Sequence, residues 1–213
     1  MLDLGLVASG AAIGVAVAAP IGPVNLIVIR RTLRFGTLTG FLSGMGAATG
    51  DGIFATISAF GLTAAIDFVI RYELVMQLIG GIFLLALGAR TFVAHPHLEN
   101  GPQENLSGAL ARVFVTTFVL TITNPATMLG FIAIFGGVAG LTAQDAGYGR
   151  AVTLVISVFI GSALWWAALS GFVSMFRQRM SDRILVIVNR VSGGLIVLFG
   201  LVVLGRVLYR YLG

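Results

Sequence analysis

The chain has 213 residues, 58% of them hydrophobic and only 10% charged, against about 25% charged in an ordinary soluble domain. So little charge cannot clothe a water-soluble body of this size, and the chain reads as an integral membrane protein with almost no soluble part. The net charge of +5 does not point to nucleic acid. All thirteen basic residues are arginines, and most flank apolar runs rather than forming a basic face interleaved with aromatics. Cysteine is absent, which excludes disulfides, zinc–thiolate and iron–sulfur centres and thiol redox chemistry.

The first apolar run, from residue 4, resembles a signal sequence, with "AVA" at 16–18 in the place of a cleavage site. Asp3, the lack of a basic residue ahead of the run and Pro20 just past it argue for retention as a membrane helix. Six apolar segments follow one another: 4–29, 40–62, 74–93, 113–139, 151–173 and 184–209. Each is near the ~20 residues that a span requires. Lipid offers no partner to backbone groups, so each is predicted to be helical.

The polar stretch "AHPHLENGPQENLSG" at 94–108 divides the chain. Repeat one covers 1–93, a connection runs over 94–110, and repeat two covers 111–213. The halves share short motifs in the same order. "IGGIFLLALG" (79–88) resembles "SGGLIVLFG" (192–200), and "GDGIFATISAFG" (50–61) lies opposite "GSALWWAALSGF" (161–172). Pro23 lies opposite Pro125. Three spans per half make the repeat inverted in the membrane. The predicted fold is therefore all-α, with six transmembrane helices in two inverted three-helix repeats, and with helices one and four broken.

Arg30, Arg31, Arg34, Arg90, Arg112, Arg177, Arg179, Arg183 and Arg190 fall on the side of the loops after spans one, three and five. Arg71, Arg150, Arg206 and Arg210 fall on the other. Nine against four places the first side in the cytoplasm and both termini outside.

Span one is interrupted by Pro20, Gly22, Pro23 and Asn25, and span four by Asn124 and Pro125. Proline removes a backbone donor and clashes with the preceding turn. Matched breaks in two repeats mark a midplane binding site in secondary transporters: half-helix N-termini face anionic groups and unwound carbonyls face cations. Simple kinks that shape packing are the alternative. Asp51 is the one acid well inside a span, where a carboxylate costs roughly 2.5–3.5 kcal/mol on insertion scales. Burial favours its neutral form unless a cation stands beside it. It is predicted to exchange a proton, to hold a substrate ammonium, or to pair with an arginine such as Arg90 or Arg190.

Other polar residues carry less. Arg190 reads mainly as an interfacial, snorkelling side chain. Trp165 and Trp166 lie mid-span and either pack or line a cavity. His95 and His97 with Glu99 form a sparse metal motif, and no cofactor is expected. Gly36, Gly40 and Gly44, then Gly46 and Gly50, recur every four residues, a signal for close helix contact. An intramembrane protease would need a serine with a histidine at membrane depth, and both histidines lie in the central connection, so no enzyme is expected.

Together "PIGPVN" (20–25), the glycine-rich run ending "GMGAATGD" (44–51), "GL" (61–62), "GGIFLLALGAR" (80–90) and "TNPATM" (123–128) resemble the LysE/RhtB family of amino-acid exporters over nearly the whole chain. The form with Pro20 is similar to the basic-amino-acid branch, whereas the homoserine/threonine branch more often shows Pro-Gly-Pro-x-Asn. The resemblance implies secondary active export of amino acids or close derivatives across the bacterial inner membrane, driven by the proton gradient or the membrane potential. It carries substrate binding to Pro20, Gly22, Pro23, Asn25, Asn124 and Pro125, and coupling to Asp51. Its expected partners are an amino-acid substrate, protons and the lipid bilayer, with no nucleic acid, and a homo-oligomer is compatible with it. Ala126, Thr127 and Met128 depart from the family's usual Lys and aromatic pair after Asn-Pro, which leaves the substrate open. A metal-ion or other small-solute exporter of the same superfamily is the alternative.

Overall fold

The computed structural model describes residues 3–20, 22–61, 68, 70–94, 106–137, 147–177 and 181–212. Among them lie eight α-helices and no strand: α1 (Leu4–Ala18), α2 (Pro23–Phe35), α3 (Thr37–Ala59), α4 (Glu73–Val93), α5 (Leu106–Ile122), α6 (Pro125–Gly137), α7 (Tyr148–Ser174) and α8 (Asp182–Leu212). Three of them, α4, α7 and α8, are long and apolar enough to cross a membrane alone, and the bent pair α1–α2 makes a fourth. By length and composition the described residues thus give up to four of the six expected spans. The breaks cut two of the expected segments into pieces too short to span, and α3 is diluted by glycine, serine, threonine and Asp51.

Local chemistry sets the ends. Asp3 caps α1 by accepting the Leu6 N–H at 3.2 Å, the usual service of an aspartate at this position. Pro23 opens α2 and Pro125 opens α6. Proline's missing donor costs nothing in the first turn, where no intrahelical acceptor exists. Gly36, at φ 98°, makes the one-residue corner between α2 and α3. That backbone conformation suits glycine, and a Cβ there would also press on the Arg177 guanidinium.

The main pairings are α1 with α7, α3 with α5 and α7, and α4 with α8, while α2 packs on α3 and α8. Lipid gives helices no hydrophobic reason to associate, so close backbone approach through small residues takes over. A methyl on Gly14 would meet the Val158 carbonyl, and one on Gly161 the Ala11 carbonyl. On the other flank, one on Gly46 would meet the Phe114 carbonyl. The glycine spacing in α3 is thus a packing device, as its period predicts.

The surface is apolar, and several polar side chains are buried alongside an apolar core. Ile82, Ile156 and Leu198 are more than half exposed, while Asn25, Ser43, Asp51, Thr117, Ser162 and Asn189 are buried. The apolar interior is layered. Leu6, Phe54, Phe131, Phe135 and Leu154 form a cluster at the end near the start of α1. Ala18, Val28, Ala47 and Trp166 form a middle layer, and Leu33, Val173 and Leu185 lie near the Gly36 corner. The candidate site sits against the middle layer.

Candidate functional site

The first break begins with a missing donor. Pro20 has no N–H, so the Ala16 carbonyl loses its ordinary helical partner four residues on. The chain then turns, and α1 and α2 meet at 85°. Asn25 repairs part of the loss: its amide donates to the Ala18 carbonyl at 3.2 Å and to the Pro20 carbonyl at 2.8 Å, with the residue 5% exposed. Beyond the turn, Leu26 N–H returns to Gly22 O at 3.2 Å and starts the α2 ladder. By the geometry of any helix start, the Val24 and Asn25 N–H groups have no intrahelical acceptor.

The second break is tighter. Asn124 N–H donates to Thr121 O and Thr127 N–H donates to Asn124 O, both at 3.1 Å. Asn124 thereby satisfies the carbonyl that Pro125, lacking an N–H, cannot serve.

A cavity of about 410 Å³ lies between the two breaks. Pro20, Gly22, Pro23, Asn25, Asp51 and Asn124 all line it. Six of the seven residues singled out in the sequence therefore meet around one space. The seventh, Pro125, follows Asn124 as the first residue of α6, and its side chain lies outside the described residues. The other walls follow helical spacing: Ala47 with Asp51 on α3, Thr127 with Gly130 and Ile134 on α6, and Trp166 on α7.

Asp51 is 3% exposed, and Ser162 Oγ donates to its Oδ2 at 2.8 Å. The suggested pairing with Arg90 or Arg190 does not occur; both arginines are exposed. The ion pairs found among the described residues, Arg150 with Asp3 and Arg210 with Glu73, lie elsewhere. His95, His97 and Glu99 fall outside the described residues.

Two features escape sequence reasoning. Ser162 and Thr121 look like ordinary small polar residues until the helices are packed. Arg30 and Arg31 read as flanking positive charges, yet they are half-buried in the structure. Arg30 donates to Asn189 Oδ1 at 2.7 Å and Thr91 Oγ1 at 3.1 Å. Arg31 donates to Ser43 Oγ at 2.7 Å and Val113 O at 2.8 Å. Asn189 also donates to Ala94 O at 3.0 Å. This end of α2 is therefore cross-braced to α3, α4, α5 and α8, about 8 Å along the helix from Asn25. Their signal was position: two adjacent arginines about two helical turns past a proline break.

Two broken helices around one cavity, in a helical bundle with an apolar surface and several polar side chains buried in its core, fit a helical membrane translocator. The chain belongs to the LysE type translocator family, whose model matches residues 15–206. It is 23% identical over 190 residues, 88% of this chain and 90% of the other, to YcgF of Bacillus subtilis (strain 168), whose name gives amino acid efflux provisionally. The membrane protein YahN of Escherichia coli (strain K12), itself uncharacterized, is 26% identical over 178 residues, 82% of this chain and 78% of its own. A leucine efflux protein of Salmonella typhimurium (strain LT2) is 24% identical over 126 residues, 59% of each chain. No solved structure matches the chain.

Proposed function

We propose that the protein is a secondary active exporter that moves amino acids or close derivatives out of the bacterial cytoplasm across the inner membrane. The observation that carries this reading is the cavity at which Pro20, Gly22, Pro23, Asn25, Asp51 and Asn124 converge. An amino-acid zwitterion suits its chemistry. The N-termini of α2 and α6 present the positive ends of two helix dipoles, and the former adds the N–H groups of Val24 and Asn25, for the α-carboxylate. Asp51 and the broken-helix carbonyls suit the α-ammonium. The efflux proteins among the relatives agree with it.

Asp51 is proposed to alternate between the substrate ammonium and a proton, which would couple export to the proton gradient. Alternating access is proposed to arise from two inverted repeats, 1–93 and 111–213, rocking about the cavity. Helix pairing supports this division. Exchanging the triple α1–α2, α3, α4 for α5–α6, α7, α8 turns the α1·α7 seam into α5·α3 and returns α4·α8 to itself. Within that last seam, Gly200 packs close to the Gly81 carbonyl and Gly193 close to the Gly88 carbonyl. The arginine distribution supports cytoplasmic odd-numbered loops and external termini. Among the described residues no three His, Cys, Asp or Glu side chains gather.

The test is counterflow and gradient-driven efflux of labelled amino acids in proteoliposomes, with wild type and Asp51→Asn. The reading expects wild-type transport of one amino-acid class, and an Asp51→Asn variant that binds substrate yet loses gradient-driven export. Normal gradient-driven export by that variant would refute the coupling role. No flux of any amino acid through well-folded wild-type protein would refute the function.

A further inference from the structure

We propose that the cavity selects amino acids whose side chains are uncharged and apolar. This rests on the exporter reading and adds the substrate class. The inference comes from an inventory of charge around one cavity. Among the described lining residues Asp51 is the sole ionisable group; none is an arginine or a histidine. One acid and two helix N-termini match one ammonium and one carboxylate, and a zwitterion uses all of them.

A dibasic amino acid brings a second ammonium, and an acidic one a second carboxylate. Neither extra charge finds an opposite charge in the described lining. The arginines nearest in the chain, Arg30 and Arg31, are engaged with Asn189, Thr91, Ser43 and the Val113 carbonyl. A charge taken out of water without a partner is strongly disfavoured. What remains for the side chain is chiefly Val17, Val24, Ala47, Ile134 and Trp166, with the hydroxyls of Thr121 and Thr127 among them. Trp166 and Ala47 are themselves buried in the middle layer, so this wall is backed by packed helices rather than by water. At about 410 Å³ the space falls in the range of small-molecule sites, about 300–1,000 Å³.

Apolar walls discriminate weakly between hydrocarbon side chains and strongly against unmatched charge. Leucine, isoleucine, valine, methionine and phenylalanine are therefore expected to compete within about tenfold to a hundredfold of one another. Lysine, arginine, glutamate and aspartate are expected to compete at least about a hundredfold more weakly than leucine.

The experiment is competition against tritiated leucine bound to the purified full-length protein in lipid nanodiscs, followed by counterflow of each labelled amino acid in proteoliposomes. Displacement by methionine and phenylalanine, with none by lysine or glutamate at a hundredfold excess, is the expected result. A second variant, Ile134→Glu, places an acid in the apolar wall and is expected to gain lysine binding relative to leucine. Counterflow of lysine, arginine, glutamate or aspartate by wild type without leucine would overturn the inference while leaving the exporter reading intact. Counterflow of no amino acid by folded wild-type protein would instead remove the exporter reading, and this inference with it.

Discussion

Replacing Asn25 with leucine keeps the branched outline of the side chain and removes both of its hydrogen-bond donors. The carbonyls of Ala18 and Pro20, now served at 3.2 and 2.8 Å, would be left with no donor from the protein. An orphaned buried polar group costs about 1–3 kcal/mol, so two cost about 2–6 kcal/mol. The cavity at this break can admit water, which places the expected loss nearer 2 kcal/mol. Asn25→Ala loses the same two bonds and also leaves a small void beside Val24 and Ala18. If hydrogen bonding dominates, leucine and alanine destabilise alike. If packing dominates, leucine restores most of what alanine loses. The assay is the thermal midpoint of the detergent-solubilised variants, read by the monodisperse fraction surviving a temperature ramp. A wild-type midpoint for Asn25→Leu would refute the assignment of Asn25 as the brace of the break.

Arg30 and Asn189 belong to one hydrogen-bonded unit, so a double-mutant cycle with Arg30→Leu and Asn189→Leu should give a coupling energy of about 0.5–3 kcal/mol by chemical unfolding in detergent; simple additivity would show that the contact carries nothing. Gly46→Ala is expected to destabilise by about 1–3 kcal/mol through collision with the Phe114 carbonyl. Gly171→Ala, where a methyl meets nothing within 4 Å, should be neutral or slightly stabilising in the same unfolding assay, because alanine favours the helix.

Much of this architecture is legible in the residues. Proline, glycine and asparagine packed into "PIGPVN" could not sit in one straight helix, and the structure breaks there. The glycine period of α3 foretold contact because only a bare Cα lets two backbones meet. Both breaks and Asp51, each singled out in the sequence, line one cavity. What stayed hidden depends on which helices become neighbours. Ser162 gains meaning only when α7 turns it toward Asp51. Arg30 and Arg31 carry the same letters as interfacial arginines, and only the 85° turn ahead of them brings them against Asn189, Thr91 and Ser43.

The interlocking of the helices has a consequence for how the chain is made. The chief partner of α1 is α7, and that of α4 is α8. The first half therefore emerges from the ribosome with Gly14 and Gly88 uncovered and with Asp51 still waiting for Ser162, 111 residues later. Neither half can complete its contacts alone, so assembly must be delayed until the last third of the chain arrives. Until then the early helices depend on lipid, on water near Asp51, or on the insertion machinery to shelter surfaces that were built for a helix not yet synthesised.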